Sequence, residues 1–331
     1  MKNRTACFFV KTPRAYAIEQ IEFYAQDIRI LRELGFDVRI VTSLRDLVVA
    51  DLYFCWWWTW AFIPALLAKA LSRPLVVTGV FDFHLFDRRP AIHRALMRYA
   101  LRTASANVFL SRLEESQVTQ HFMVAAPHYI PLGVDTKLYR PGDDADVRED
   151  VVLTVAWLQT GSAERKGVPD SILATARLRR RQSGVRLVIV GEKASGYPRL
   201  RDLVDQLAVG DSVTFLGAVS RSEKIELMQR CKVYIQPSQF EGFGVALLEA
   251  MSCGAAVLTR PVGAIPEVVG DAALLVREPG IEPLEQGLWG LFQNDTLRAD
   301  LGQSARSRAE TVFPFERRKR DLAALIQDVL P

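Results

Sequence analysis

Short apolar runs separated by amphipathic stretches recur along the chain, and this alternation stops once and then starts again. Candidate strands lie at 6–10 (ACFFV), 37–43 (DVRIVTS), 51–56 (DLYFCW), 74–80 (PLVVTGV), 107–111 (NVFLS) and 128–133 (HYIPLG). Residues 18–35 have helical spacing and end at Gly35, a residue type suited to closing a helix in the left-handed conformation. Strands that are nearly continuous in Val, Ile, Leu and Phe and alternate with helices predict a parallel sheet buried on both faces. The pattern breaks at 140–150 (RPGDDADVRED), which is acidic, contains Pro and Gly and lacks apolar periodicity; it reads as a linker. Strands then resume at 151–157, 186–192, 213–217, 233–238, 255–260 and 273–276, with helices near 168–182, 198–208, 221–231 and 244–253, and an amphipathic tail at 315–330. The expected fold is α/β: two Rossmann-like domains facing each other across a cleft, with ligands bound outside the carboxyl ends of the strands. The 331 residues suit two such cores better than one.

Several function classes are disfavoured. A net charge of +4 is mildly basic, and no dense Lys/Arg tract or interleaving of aromatic and basic residues points to nucleic acid. Cys7, Cys55, Cys231 and Cys253 are scattered in apolar surroundings without metal-ligand spacing, so they read as reduced core residues of a cytosolic protein. With only four histidines a zinc site is not expected. The apolar run near the N-terminus is too short for a secretory signal. The uncharged run from Leu52 to Ala68 contains Pro64 and only touches the lower limit of a spanning helix. No G-x-G-x-x-G follows the first strand of either half, which disfavours a dinucleotide dehydrogenase.

The most informative stretch is 237–269, PSQFEGFGVALLEAMSCGAAVLTRPVGAIPEVV. Gly242 and Gly244 stand where a strand turns into a helix, and they permit close backbone approach to a ligand. A helix beginning there offers free N–H groups and a positive dipole end to a diphosphate. A plain tight turn accounts for the two glycines as well. Two carboxylates sharpen the reading: Glu241 precedes the helix, and Glu249 lies inside it amid ALLEAM. Ionised carboxylates only accept hydrogen bonds, and a nucleotide-sugar supplies hydroxyls on both sides of its diphosphate.

Glu241 and Glu249, with EGFG and the segment that follows, resemble the retaining family 4 glycosyltransferases of GT-B fold. IPLGVDTKLYRP (130–141), RKG (165–167), LVIVGE (187–192), VTFLGAVSRSEKIELMQRCKVYIQPS (213–238) and FPFERRKRDLAALI (313–326) continue the resemblance in order. It is close over about 130–331 and one of organisation only before that. It implies an acceptor-side domain of residues 1–140 joined by 314–331, a linker at 141–150 and a donor-binding domain at 151–313. It implies transfer of a sugar from a nucleoside-diphosphate donor to an acceptor hydroxyl with retention, without metal or cofactor. Arg165 and Lys166 would neutralise the diphosphate, Glu241 would contact the donor sugar, and Glu249 would hold the ribose hydroxyls. Gly242, Phe243, Gly244, Val245, Gly191, Gly217 and Val219 would line the donor pocket. Expected partners are the donor and a glycan, small-molecule or lipid-linked acceptor.

The chain also departs from the family. Trp157 occupies a position where the family often has Arg, and FFVKTPRAYAIEQ lacks the usual glycine-rich loop. Both leave open a non-catalytic sugar-nucleotide or glycan-binding subunit; a GT-B sugar-nucleotide epimerase is the other alternative. The D-x-D at Asp144 and Asp146 has no strand before it and reads as solvated loop. His84 resembles a histidine that relatives direct at the donor or acceptor, and it reads equally as a loop residue without a role. Arg88, Arg89, Arg94, Arg98 and Arg102 recur mostly at helical spacing, either as a solvated face or as a contact for anionic lipid at the cytoplasmic membrane face. Four of the six tryptophans fall in FCWWWTWAF (54–62). Trp56 is expected in the core, whereas Trp57, Trp58 and Trp60 are candidates for the acceptor side, since consecutive residues of a strand point to opposite faces.

Overall fold

The computed structural model describes residues 4–12, 15–81, 83–143 and 148–330. The chain forms two compact units, residues 1–133 with 315–331, and residues 134–314.

The first unit is built on six parallel strands, β1 (Thr5–Val10), β2 (Asp37–Val41), β3 (Leu52–Trp56), β4 (Leu75–Gly79), β5 (Ala106–Phe109) and β6 (Pro127–Tyr129), in the order β2-β1-β3-β4-β5-β6. Side chains alternate across the sheet. Cys7, Phe9, Tyr53, Cys55, Leu75, Val77 and Phe109 pack with Ala65 and Ala68 of helix Phe62–Ala70 and with Met97, Ala100 and Leu101 of helix Ala91–Thr103. On the other face Phe8 stacks on Phe54 at 5.7 Å and meets the edge of Tyr24, in helix Glu22–Glu33. The expected helix at 18–35 is two pieces, a 3-10 turn Ala15–Gln20 and this α-helix.

The C-terminal helix Phe315–Val329 belongs to the first unit. Its Arg318 is fully buried and donates to Asp27 through Nε (2.7 Å) and Nη2 (2.9 Å). Arg318 Nη1 donates to the carbonyls of Ile130 (2.9 Å) and Pro131 (3.1 Å). Trp56 Nε1 donates to the same Asp27 carboxylate at 3.1 Å.

The second unit repeats the plan with β7 (Glu149–Val155), β8 (Arg186–Val190), β9 (Val213–Gly217), β10 (Cys231–Gln236), β11 (Ala256–Thr259) and β12 (Leu274–Leu275), ordered β12-β11-β10-β7-β8-β9 and parallel throughout. The chain crosses between the units at Gly133–Val134 and Pro314–Phe315, not at the expected linker 141–150. The reason lies in Arg148, whose guanidinium donates to the carbonyls of Met228, Cys231, Cys253 and Gly254 at 2.7–3.1 Å. Glu149 and Asp150 already belong to β7, so the acidic stretch runs into the second unit. The crossing segment itself is apolar, with Leu132 and Val134 buried.

All four cysteines are buried and unpaired. Burial pushes the thiols of Cys231 and Cys253 up to about 12 and that of Cys7 to about 11. Because the thiolate is the reacting form, no cysteine is expected to react with a thiol reagent near neutral pH in the native protein, and all should react after unfolding. A colorimetric thiol count with and without denaturant checks this. Among the described residues no helix is long and apolar enough to cross a membrane.

Candidate functional site

In an open parallel sheet, the place where successive connections diverge to opposite sides leaves a crevice at the carboxyl ends of the two strands concerned. In the second unit that place lies between β7 and β10. Trp157 follows β7 and Ser238 follows β10, and the charged residues come from the loops just beyond.

After β7 the chain makes a short helix Ser162–Arg165, then Lys166, then Gly167, which begins helix Val168–Arg179. The close approach of Gly167 to the β10 loop brings the two motifs together. Its φ is +72°, and a Cβ there would lie 2.3 Å from the Pro237 carbonyl oxygen. Gln239 N donates to Arg165 O at 2.7 Å, and Arg165 Nη1 donates to Phe240 O at 2.8 Å. RKG and EGFG are thereby bonded side by side.

At their junction Lys166 Nζ lies 3.4 Å and Arg165 Nη1 3.8 Å from Glu241 Oε2. The same oxygen accepts from Gln236 Nε2 at 3.0 Å, and Gln236 Oε1 accepts from the Tyr234 hydroxyl at 3.0 Å. Burial, with the nearby charges of Glu249 and Glu241, pushes the Tyr234 phenol well above its ordinary range, so it remains a donor. Ala264 N donates to the Glu241 carbonyl at 2.9 Å, fixing the backbone of the loop. Arg165 is thus largely a brace for the loop, and Lys166 is the nearer cation.

The helix Val245–Ser252 begins at Gly244, whose φ is +97°. Gly242 and Phe243 are buried before it, Phe243 meeting the edge of Phe313 at 5.7 Å, and Val245 is half-buried. Glu249 is 2% exposed, and its Oε1 accepts from Lys224 Nζ at 2.6 Å. Lys224 belongs to helix Arg221–Arg230. Neither Lys224 nor Gln236 was singled out from the sequence. A carboxylate placed amid ALLEAM requires a cation if it stays charged when buried, but nothing local says which one.

Gly191 and Gly217 are brought together beyond β8 and β9, Gly191 N donating to Gly217 O at 2.9 Å. Gly191 also passes so close to the end of β7 that a Cβ would lie 1.7 Å from Ala156 O. Val219 is half-buried, while Leu216 and Trp157 are 44% and 37% exposed. The pair Asp144 and Asp146 lies outside the described residues. Among those described, no group of three or more His, Cys, Asp or Glu could hold a metal ion.

In the first unit the divergence falls between β1 and β3, so the residue that follows β3, Trp57, stands at the crevice of that sheet. Trp57 has φ +78°, an outlying conformation for a bulky residue. It is held by N–H donation to Thr78 O (2.7 Å) and by Nε1 donation to the Tyr24 hydroxyl (2.8 Å). Its side chain stays half-exposed, as does that of Trp60. Trp58 corrects the expectation of an acceptor-side role. It is 1% exposed, stacks on Phe109 at 5.3 Å, and donates from Nε1 to Asn107 Oδ1 at 2.7 Å. Trp56 is likewise core, at 1% exposed. His84 falls in helix Phe83–Arg88, and its side chain lies outside what is described.

Residues 144–308 match the family model described as "Glycosyl transferases group 1". Over these residues, about half of its length, the chain is similar to that family. The MMP alpha-(1->4)-mannosyltransferase of Mycolicibacterium hassiacum is 29% identical over 239 residues, which cover 69% of this chain and 56% of that protein. The D-inositol 3-phosphate glycosyltransferase of Stackebrandtia nassauensis is 36% identical over 214 residues, 60% of this chain and 48% of its own length. The chain therefore spans about half the length of the curated relatives it matches. Among solved structures, sucrose-phosphate synthase of Thermosynechococcus elongatus superposes with a TM-score of 0.82 at 17% identity, covering 98% of each chain. HepE of Anabaena, in complex with UDP-glucose, gives 0.79 at 18% identity over 98% of this chain and 100% of its own. At these identities the likeness is one of fold, and the fold is GT-B, with two parallel six-stranded sheets.

Proposed function

We propose that this chain is a glycosyltransferase of the group 1 family that moves a sugar from a nucleoside-diphosphate donor to an acceptor hydroxyl with retention at the anomeric carbon. The observation that carries the reading is the Lys166–Glu241 pair, 3.4 Å apart at the crevice of the second sheet and followed at once by the amino end of helix Val245–Ser252. Lys166 and the first amides of that helix would receive the diphosphate, whose charge grows as the glycosidic bond breaks. Glu241, held by Gln236, accepts hydroxyls of the donor sugar and fixes its orientation. Glu249 has one oxygen on Lys224 and its other oxygen for a ribose hydroxyl. Gly191, Gly217 and Val219 border the base. The leaving phosphate helps take the acceptor proton, so Glu241 orients and stabilises and is not itself the nucleophile. Trp57 and Trp60 offer aromatic surface to the acceptor. The acceptor is a glycan, a small molecule or a lipid-linked sugar. No cofactor takes part in this scheme.

The relatives' names support sugar transfer, and the HepE complex with UDP-glucose supports a nucleoside-diphosphate donor. A thermal-shift panel of UDP, GDP, ADP and their sugars tests the donor class, since stabilisation grows with ligand concentration over affinity. One nucleotide is expected to raise Tm well above the others. Nuclear magnetic resonance of the product from that donor then reads the anomeric configuration. No stabilisation by any of the nucleotides at millimolar concentration would overturn the reading, and an inverted anomeric centre would overturn retention.

A further inference from the structure

The stretch 59–106 holds seven Lys and Arg against two Asp, a net +5 in a chain whose total is +4. Arg73 pairs with Asp51 at 3.4 Å, as many arginines outside the stretch pair with carboxylates, among them Arg179–Asp211, Arg186–Glu149, Arg260–Asp170 and Arg318–Asp27. The other arginines of the stretch differ. Arg88, Arg89, Arg94, Arg98 and Arg102 have no carboxylate partner among the described residues. The Nε atoms of Arg89 and Arg94 are buried without any hydrogen bond. Arg98 lies over the rings of Phe86 (5.2 Å) and Phe122 (5.6 Å), which restricts its stem without neutralising its charge.

The fold gathers this charge on one side. Helices Phe62–Ala70 and Ala91–Thr103 pack on each other and on the same face of the first sheet, so their remaining sides form one outer layer. Arg98 and Arg102 are exposed on the second of these helices, and Ile92 in its first turn is 63% exposed. The neighbouring helix exposes Leu66 (51%) and Lys69, and Leu71 follows at its end. Half-buried Trp60 lies near His93, ring centres 6.3 Å apart, where the two helices meet. Helix Phe62–Ala70 contains no acidic residue, and neither does helix Ala91–Thr103.

We propose that this face docks on the surface of a bilayer containing anionic phospholipid. The proposal is independent of the sugar-transfer reading. Unpaired guanidinium groups need phosphate or carboxylate partners, and exposed Leu and Ile need apolar cover; a lipid interface supplies both in one plane. Arg and Lys stems lie along apolar surface while their heads meet the headgroups. Tryptophan at the boundary of apolar and polar layers suits the same geometry. The phosphates of a nucleic acid would satisfy the arginines and leave Leu66 and Ile92 in water, so the apolar half of the face favours lipid.

Co-sedimentation with phosphatidylcholine vesicles, with and without phosphatidylglycerol, tests the proposal. The full chain should sediment with phosphatidylglycerol vesicles and release as salt is raised. The Arg98→Glu/Arg102→Glu variant should bind at least about tenfold more weakly, since each basic residue near such a surface contributes roughly a fivefold step and two are removed. Leu66→Ala/Ile92→Ala should weaken binding several-fold and leave its salt dependence in place. All four side chains are exposed, so both variants should keep the native thermal transition. Absence of binding to phosphatidylglycerol vesicles would overturn the proposal. So would equal binding to phosphatidylcholine alone, or binding that resists salt; neither of these outcomes depends on the variants. Single-stranded RNA that binds the unmodified chain and displaces it from the vesicles, with Leu66→Ala/Ile92→Ala unaffected in either, would assign the face to nucleic acid instead.

Discussion

Lys166→Ala is expected to lower turnover at saturating donor by about 10²–10³-fold, the usual consequence of removing one pre-positioned electrostatic contact to a developing negative charge. Lys166 is suited to that task because its ammonium is already in place. Its side chain is only 17% exposed, and Nζ is held 3.4 Å from Glu241 by the tight passage of Gly167 past Pro237. Little reorganisation remains when the glycosidic bond breaks. Charge on the departing phosphate rises between ground state and transition state, so the loss should fall mainly on kcat, with donor KM changing less. Arg165 does not substitute, because its Nη1 is engaged by Phe240 O and lies farther from Glu241, at 3.8 Å. Steady-state kinetics of Lys166→Ala with the donor found in the nucleotide panel gives the answer. A kcat within about threefold of the unmodified chain would remove Lys166 from the chemistry; a change confined to KM would make it a binding residue.

That site was legible in the sequence to the extent that its chemistry is local. RKG and EGFG each announce themselves within a few residues, and the alternation of strands and helices places both at strand ends. Long-range partners are another matter. Lys224 precedes Glu249 by 25 positions, and their contact follows from how two helices lie against each other. The unit boundary was misplaced for a similar reason. RPGDDADVRED looks solvated residue by residue, yet Arg148 binds four carbonyls contributed by distant segments. The tryptophans fail differently. Alternation along a strand predicts opposite faces for Trp57 and Trp58, and the faces do differ, but β3 ends at Trp56 and a left-handed step at Trp57 intervenes. Nothing in a run without glycine signals such a step. The strands themselves were readable because β3, β4 and β5 are buried on both faces and therefore almost wholly apolar, with Thr78 and Asn107 as the polar exceptions.

Arg318→Leu is expected to destabilise the first unit by about 3–5 kcal/mol, the cost of stranding one member of a buried ion pair. Both partners are fully buried, so Asp27 would keep its charge without a counter-ion or take up a proton. The Ile130 and Pro131 carbonyls would lose their donor at the same time. Each single change strands a buried charge and the double variant Asp27→Leu/Arg318→Leu strands none, so the double variant should be less destabilised than the two single changes added together. A chain of two units need not unfold in one step, so the transition must be assigned before it is compared. Bound nucleotide should protect the second unit preferentially, and the transition it does not raise reports on the first. That transition should fall by roughly 10 °C in Arg318→Leu. Trp56 adds a local readout, because its indole N–H is bonded to Asp27 and its fluorescence should change in either single variant. If the nucleotide-insensitive transition stays where it is, Asp27 and Arg318 do not hold the terminal helix to the sheet. If the double variant loses as much as the sum, they act independently despite their 2.7 Å contact. The expected non-additive result would make the pair a single structural element, joining the C-terminal helix to the segment that leads to Gly133 and, through Trp56, to the crevice where Trp57 stands.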